Sequence, residues 1–112
     1  MNAIPFTLWL EFEHWKSSPD DDPEDEFCNV RIDLSSGEAY ALNIWTFKYL
    51  ERAHREDQHT RENMRGSYLV APDLLVTRLD RATLEEVFTE LVRTKQLKQE
   101  WQIPPDTETQ PI

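Results

Sequence analysis

The side chains able to do chemistry are few: three histidines, His14, His54 and His59, one cysteine, Cys28, and 22 carboxylates in a chain of 112 residues. A zinc-binding helix pair needs two imidazoles on one helical face, four positions apart. His54 and His59 are five apart and fall on different sides, and acids beside them such as Asp57 or Glu62 are what so acidic a chain places there by composition. No metal is expected at them. Cys28 and His14 would form a nucleophile and base only if neighbouring strands aligned them, and no serine sits in a nucleophile elbow. His14 and His54 are read as locally hydrogen-bonded residues. Glu11 and Glu13 with Asp33 could resemble an acid/base pair, yet solvated carboxylates on an acidic face account for them equally. With only Gly37 and Gly66 present, neither a phosphate-cradling loop nor a dinucleotide fingerprint can be built. The reading leans away from an enzyme, with no catalytic residues and no cofactor.

What stands out is charge and aromatic placement. The net charge of −10 is uneven: residues 1 to 44 carry ten acidic and two basic side chains, the remainder twelve and ten. Such a field opposes the electrostatic attraction on which nucleic-acid binding depends, so no direct nucleic-acid partner is expected, whereas a basic protein partner is permitted. The negative charge peaks at Asp20, Asp21, Asp22, Glu24, Asp25 and Glu26, six acids in seven residues. They lack the alternating spacing, central glycine and terminal glutamate of an EF-hand loop. A mobile, extended, solvated connection is the preferred reading, and an acidic finger for a basic groove the other. Just upstream, Trp9 and Trp15 alternate with Glu11 and Glu13 on what should be the outer face of a strand. Two large aromatics there are only half at home in water. Cover by the chain's own helices or tail is preferred over a protein interface, in which tryptophan is enriched.

These residues need a scaffold, and hydrophobic periodicity supplies one. From Ile4 to Trp15, Ile4, Phe6, Leu8, Leu10 and Phe12 share a face, as strand alternation requires. In the second strand Cys28, Val30, Ile32 and Leu34 do the same, which makes Cys28 an inert small apolar residue. Ser35 to Glu38 form a turn in which Gly37 can take a positive φ, closing a hairpin onto Ala39 to Ile44, where Tyr40, Leu42 and Ile44 point inward. At Ile44 the period changes. Thr46, Phe47, Leu50, Ala53 and His54 make a helical stripe, with Asn43 or Thr46 as its cap, and the polar run from Glu56 to Ser67 reads as a frayed helix end and loop. Leu74 to Leu79 is a strand, because Pro72 limits what precedes it to a short edge piece. Asp80 and Thr83 each offer a cap to a second amphipathic helix carrying Leu84, Val87, Phe88, Leu91 and Val92.

The order strand, strand, strand, helix, strand, helix predicts an α+β fold: a mostly antiparallel four-stranded sheet with two helices packed on one face. If the first helix is a crossover, the fourth strand should lie parallel to the third and beside the first. Residues 1–101 are expected to form a single domain and 102–112 a flexible C-terminal tail. No run approaches the roughly 20 apolar residues of a membrane span, and the start lacks a basic segment followed by an apolar one, so no membrane association and a cytoplasmic location are expected.

Two functional classes follow. The favoured one is a non-catalytic protein-interaction domain, an inhibitor or immunity-type protein, that meets a basic partner through Trp9, Glu11, Glu13, Trp15, Asp20, Asp21, Asp22, Glu24, Asp25 and Glu26. The alternative is a small ligand-binding domain or enzyme with a pocket between the sheet and the first helix, near Tyr40, Asn43, Trp45 and His54. Self-association through the tryptophan face, giving a homodimer, is a third reading.

Overall fold

The hairpin is the centre of the architecture seen in the computed structural model, which describes residues 5–16 and 18–104. Strand β2 (Phe27–Leu34) pairs antiparallel with β3 (Ala39–Thr46), in register from Phe27 opposite Trp45 to Asp33 opposite Ala39. Between them Leu34 N–H donates to Glu38 O and Gly37 N–H to Leu34 O, and Gly37 takes a φ of 102°, which costs a glycine little. Strand β1 (Phe6–Leu10) joins the other side of β2, with Leu8 opposite Ile32 and Leu10 opposite Val30. Strand β4 (Leu74–Val76) lies parallel to β3, so the sheet order is β1-β2-β3-β4.

The fold is therefore α+β, with a mixed, mostly antiparallel sheet and the predicted order of elements. The parallel orientation of β4 is as expected, but its place is not. It sits beside β3 rather than β1, because Asp73 closes onto the β3 edge: its N–H donates to Asn43 O at 3.0 Å and its carboxylate accepts from Asn43 N–H at 2.8 Å. The rest of that edge is taken by residues assigned from sequence to the tail. Gln102 bridges Tyr40, and Ile103 N–H donates to Ala39 O at 2.8 Å. Gln102 and Ile103 thus pair with the sheet; residues 105–112 of the expected tail, and Ile4 of the first strand's inner face, lie outside the described residues.

One face of the sheet holds the core. Leu8, Leu10, Cys28, Val30, Ile32, Tyr40, Leu42, Ile44 and, from β4, Val76 form one buried cluster with Leu79, Trp101 and the buried residues of helix α3 (Arg81–Arg93), Leu84 and Phe88. Asp80 caps α3, its carboxylate accepting from Thr83 N–H at 2.7 Å, so of the two proposed caps it is the one used. Helix α1 (Phe47–Thr60) is placed differently from the sequence expectation. It buries no residue, and Phe47 is 52% exposed. It meets the sheet through Tyr49, whose ring lies 5.0 Å from those of Phe27 and Trp45, side chains of the face opposite the core. The first part of the polar run, residues 56–60, belongs to this helix. A short helix α2 (Glu62–Gly66) follows in which Asn63, Met64 and Arg65 have left-handed backbone angles, φ of 52°, 53° and 62°.

The core site of Cys28 carries a prediction. Its side chain is fully buried, and burial, followed by the Glu11 and Glu26 carboxylates, pushes the thiol up to about 12. Only thiolate reacts appreciably, so the folded protein is expected to resist a thiol reagent at pH 8 and to become fully labelled in denaturant. Prompt labelling without denaturant would contradict this.

Candidate functional site

The first strand ends sooner than its alternation suggests, and that decides the local surface. After Leu10 the chain turns into a single 3-10 segment, Glu11–His14. The Glu11 carboxylate accepts from Asn29 N–H at 2.7 Å, so a side chain takes over the pairing that backbone would have made with β2. Glu13 is turned the other way, toward helix α3. Arg81 donates to its two oxygens at 2.9 and 2.8 Å and to the Leu8 carbonyl at 3.1 Å, tying α3 to the edge strand β1. Both glutamates named as partner-binding thus hold the fold together. Phe12, assigned to the inner strand face, lies in the 3-10 segment and is half-buried.

The acidic run leaves Asp20, Asp21, Asp22 and Glu24 exposed, as a solvated connection should, but it is not extended. Asp21 N–H donates to Ser18 O and Asp25 N–H to Asp22 O, forming two successive turns. Three basic residues from elsewhere in the chain fold the run back: Arg52 Nε donates to both oxygens of Asp25 at 3.0 Å, Lys48 lies 3.5 Å from Asp22, and Arg78 3.1 Å from Glu24. Mutual repulsion is relieved by cations distant in sequence, which no local pattern shows. Asp20, Asp21 and Glu26 are left without a cationic partner among the described residues; the carboxylates of Asp21 and Glu26 accept backbone N–H groups, from Ser18 and Phe27. Asp22 is held below the usual aspartate range by the Glu24 N–H bond and then by Lys48.

The helices do not give the tryptophans the cover expected of them. Trp9 is 45% exposed and Trp15 42%, so neither helix covers them. Trp9 stacks on His14, ring centroids 5.2 Å apart. Trp15 instead borders a groove of about 310 Å³ lined by Phe12, Trp15, Asp21, Asp22, Pro23, Glu26, Leu79 and Asp80. Of the ten residues named from sequence, Trp15, Asp21, Asp22 and Glu26 come together there. Phe12, Pro23, Leu79 and Asp80 join them only because the chain folds Leu79 beneath the loop, its N–H donating to Pro23 O at 2.8 Å. No spacing in the sequence signals that contact.

The alternative pocket residues are not gathered. Tyr40 is buried in the core, Asn43 bonds Asn29 on the opposite face, Trp45 packs edge-on against Tyr49, and the His54 imidazole bonds the Gly66 carbonyl at 2.8 Å. His54 does line a broad, open depression of about 700 Å³ with Phe47, Leu50 and Tyr68, but the other three do not. Among the described residues no group of three or more His, Cys, Asp or Glu is placed to hold a metal ion. None of their helices is long and apolar enough to cross a membrane. Comparison of the chain with protein-family models, with curated proteins and with solved structures gave no match.

The carboxylates that tie the elements together should make stability depend on pH. Glu13 is lowered mainly by its bonds from Arg81, and Asp80 by its bonds from Thr83 and then Arg78. A carboxyl whose folded value lies below its unfolded one contributes stability above the unfolded value and loses it as pH falls through the folded value. Stability should therefore hold above about pH 4 and decline below it. In a series of urea titrations Glu13→Gln is expected to flatten part of that decline, and an unchanged profile would show that the pair contributes nothing.

Proposed function

We propose that this chain is a non-catalytic protein-interaction domain, of inhibitor or immunity type, that binds a basic protein through its acidic, tryptophan-bearing surface. The observation that carries the reading is the exposure of Trp9 and Trp15 on a domain that has helices available to cover them. Exposed aromatics supply affinity once desolvated, and a net charge of −10 favours encounter with a cationic surface. The internal pairing of Glu11, Glu13, Asp22, Glu24 and Asp25 narrows that surface to Trp9, Trp15, Asp20, Asp21 and Glu26. A free, buried cysteine accords with a reducing compartment such as the cytoplasm.

Immobilised protein, challenged with native lysate at rising salt, tests the reading. The wild type is expected to retain basic proteins at low salt and release them by about 0.5 M, where screening is nearly complete. A Trp9→Ala/Trp15→Ala double variant should retain at least tenfold less. Retention of the same proteins by both forms, or retention indifferent to salt, would overturn it. Sedimentation of the wild type alone separates this reading from self-association, for which mass would rise with concentration.

A further inference from the structure

The groove beside Trp15 has a composition that selects its occupant. Its volume of about 310 Å³ is at the small end for ligand sites, enough for one long side chain and part of its neighbour. Phe12, Leu79 and the Trp15 ring make its walls apolar, while four carboxylates and no cation line it. Two of those carboxylates, Asp21 and Glu26, have no ion-pair partner among the described residues. A flat cation with an apolar stem satisfies all of these features together.

We propose that the groove binds an arginine side chain on an extended segment of a basic protein, the guanidinium lying against the Trp15 ring and donating to Asp21 and Glu26. This rests on the partner-binding reading above and names the place and chemistry of contact. Arginine is preferred to lysine because its planar guanidinium stacks on an indole and donates to two carboxylates at once, whereas an ammonium is a strongly hydrated point charge. The apolar walls meet the methylene stem, which long cationic side chains bury while keeping the head polar. Trp9, stacked on His14 away from the groove lining, has no part in this contact.

The test uses the full chain and a fluorescein-labelled, capped peptide of sequence Gly-Leu-Arg-Leu-Gly-Arg-Leu-Gly, with its citrulline and lysine counterparts, followed by anisotropy at low salt. The arginine peptide is expected to bind, the lysine form several-fold more weakly and the citrulline form at least tenfold more weakly. Asp21→Asn/Glu26→Gln, which keeps the oxygens that accept from Ser18 and Phe27, should weaken binding at least tenfold, as should Trp15→Ala. Val70→Ala, at an exposed position outside the groove lining, should leave it unchanged. Each variant is compared with wild type by circular dichroism, and binding is scored only on forms that retain its spectrum.

Equal binding of arginine and citrulline peptides, full binding by the folded double variant, or no binding of the arginine peptide would overturn the assignment. If basic proteins are still retained in a salt-dependent way while the groove variants behave as wild type, the groove assignment fails and the partner-binding reading stands. If they are not retained at all, both fail. Self-association lost in the groove variants would identify an arginine of a second copy as the occupant and overturn the foreign-partner assignment.

Discussion

Phe88→Ala is expected to cost about 3–5 kcal/mol of folding stability, the loss typical when a buried phenylalanine is truncated and its neighbours close only part of the cavity. Phe88 is fully buried in the layer of α3 that faces the sheet, and the cluster around it draws on β1, β2, β3 and β4 at once. A domain of this size has roughly 5–15 kcal/mol in total, so the variant should be only marginally folded. Urea unfolding is the measurement, and with a slope of roughly 1–3 kcal/mol per molar the midpoint should fall by more than 1 M. Phe47→Ala is the control: more than half exposed on α1, it should change stability by no more than about 0.5 kcal/mol. Equal losses at both positions would mean that α1 is packed against the core after all.

A second large effect is expected at Thr46. Its side chain is the buried polar group at the junction of β3 and α1, fully inaccessible to solvent. The hydroxyl oxygen accepts from Tyr49 N–H at 3.1 Å, capping α1, and from Glu26 N–H at 3.1 Å, holding the end of the acidic loop. Its own backbone N–H donates to Glu26 O at 3.0 Å. Thr46→Val keeps the shape and strand preference but removes the acceptor, leaving two N–H groups unpaired. The expected loss is about 2–3 kcal/mol, a lost cap together with a poorly satisfied second donor. Thr46→Ser should recover most of it. Hydrogen exchange gives an independent readout, because the amides of Glu26 and Tyr49 should lose protection in the valine variant before the rest of the sheet does. A valine variant within about 0.5 kcal/mol of wild type would show that water replaces the hydroxyl at little cost.

These two positions illustrate how far local pattern reaches. Alternation marks the inner faces of β2 and β3, and the spacing of Leu84 and Phe88 marks the inner face of α3, because burial on one side imposes a period that each element carries in its own sequence. Thr46 is recognisable as a cap for the same reason: the acceptor lies within one turn of the amide it serves. Its second bond, to Glu26, is not recognisable, since twenty residues separate the partners.

The same division runs through the candidate site. Composition and spacing by themselves establish the α+β class, the hairpin and the position of the acidic run, whereas the strand face on which they would align Trp9 and Trp15 ends at Leu10. Tertiary structure alone decides which carboxylates stay available. Arg52, Lys48, Arg78 and Arg81 reach Asp25, Asp22, Glu24 and Glu13 across 26 to 68 positions of chain, and the groove beside Trp15 exists only where Leu79 is folded beneath Pro23. Ion pairs and cavities depend on distances in space, and those are set by the docking of whole elements; hydrophobic period is set by the geometry of one element, which is why the sequence carries it and not the rest.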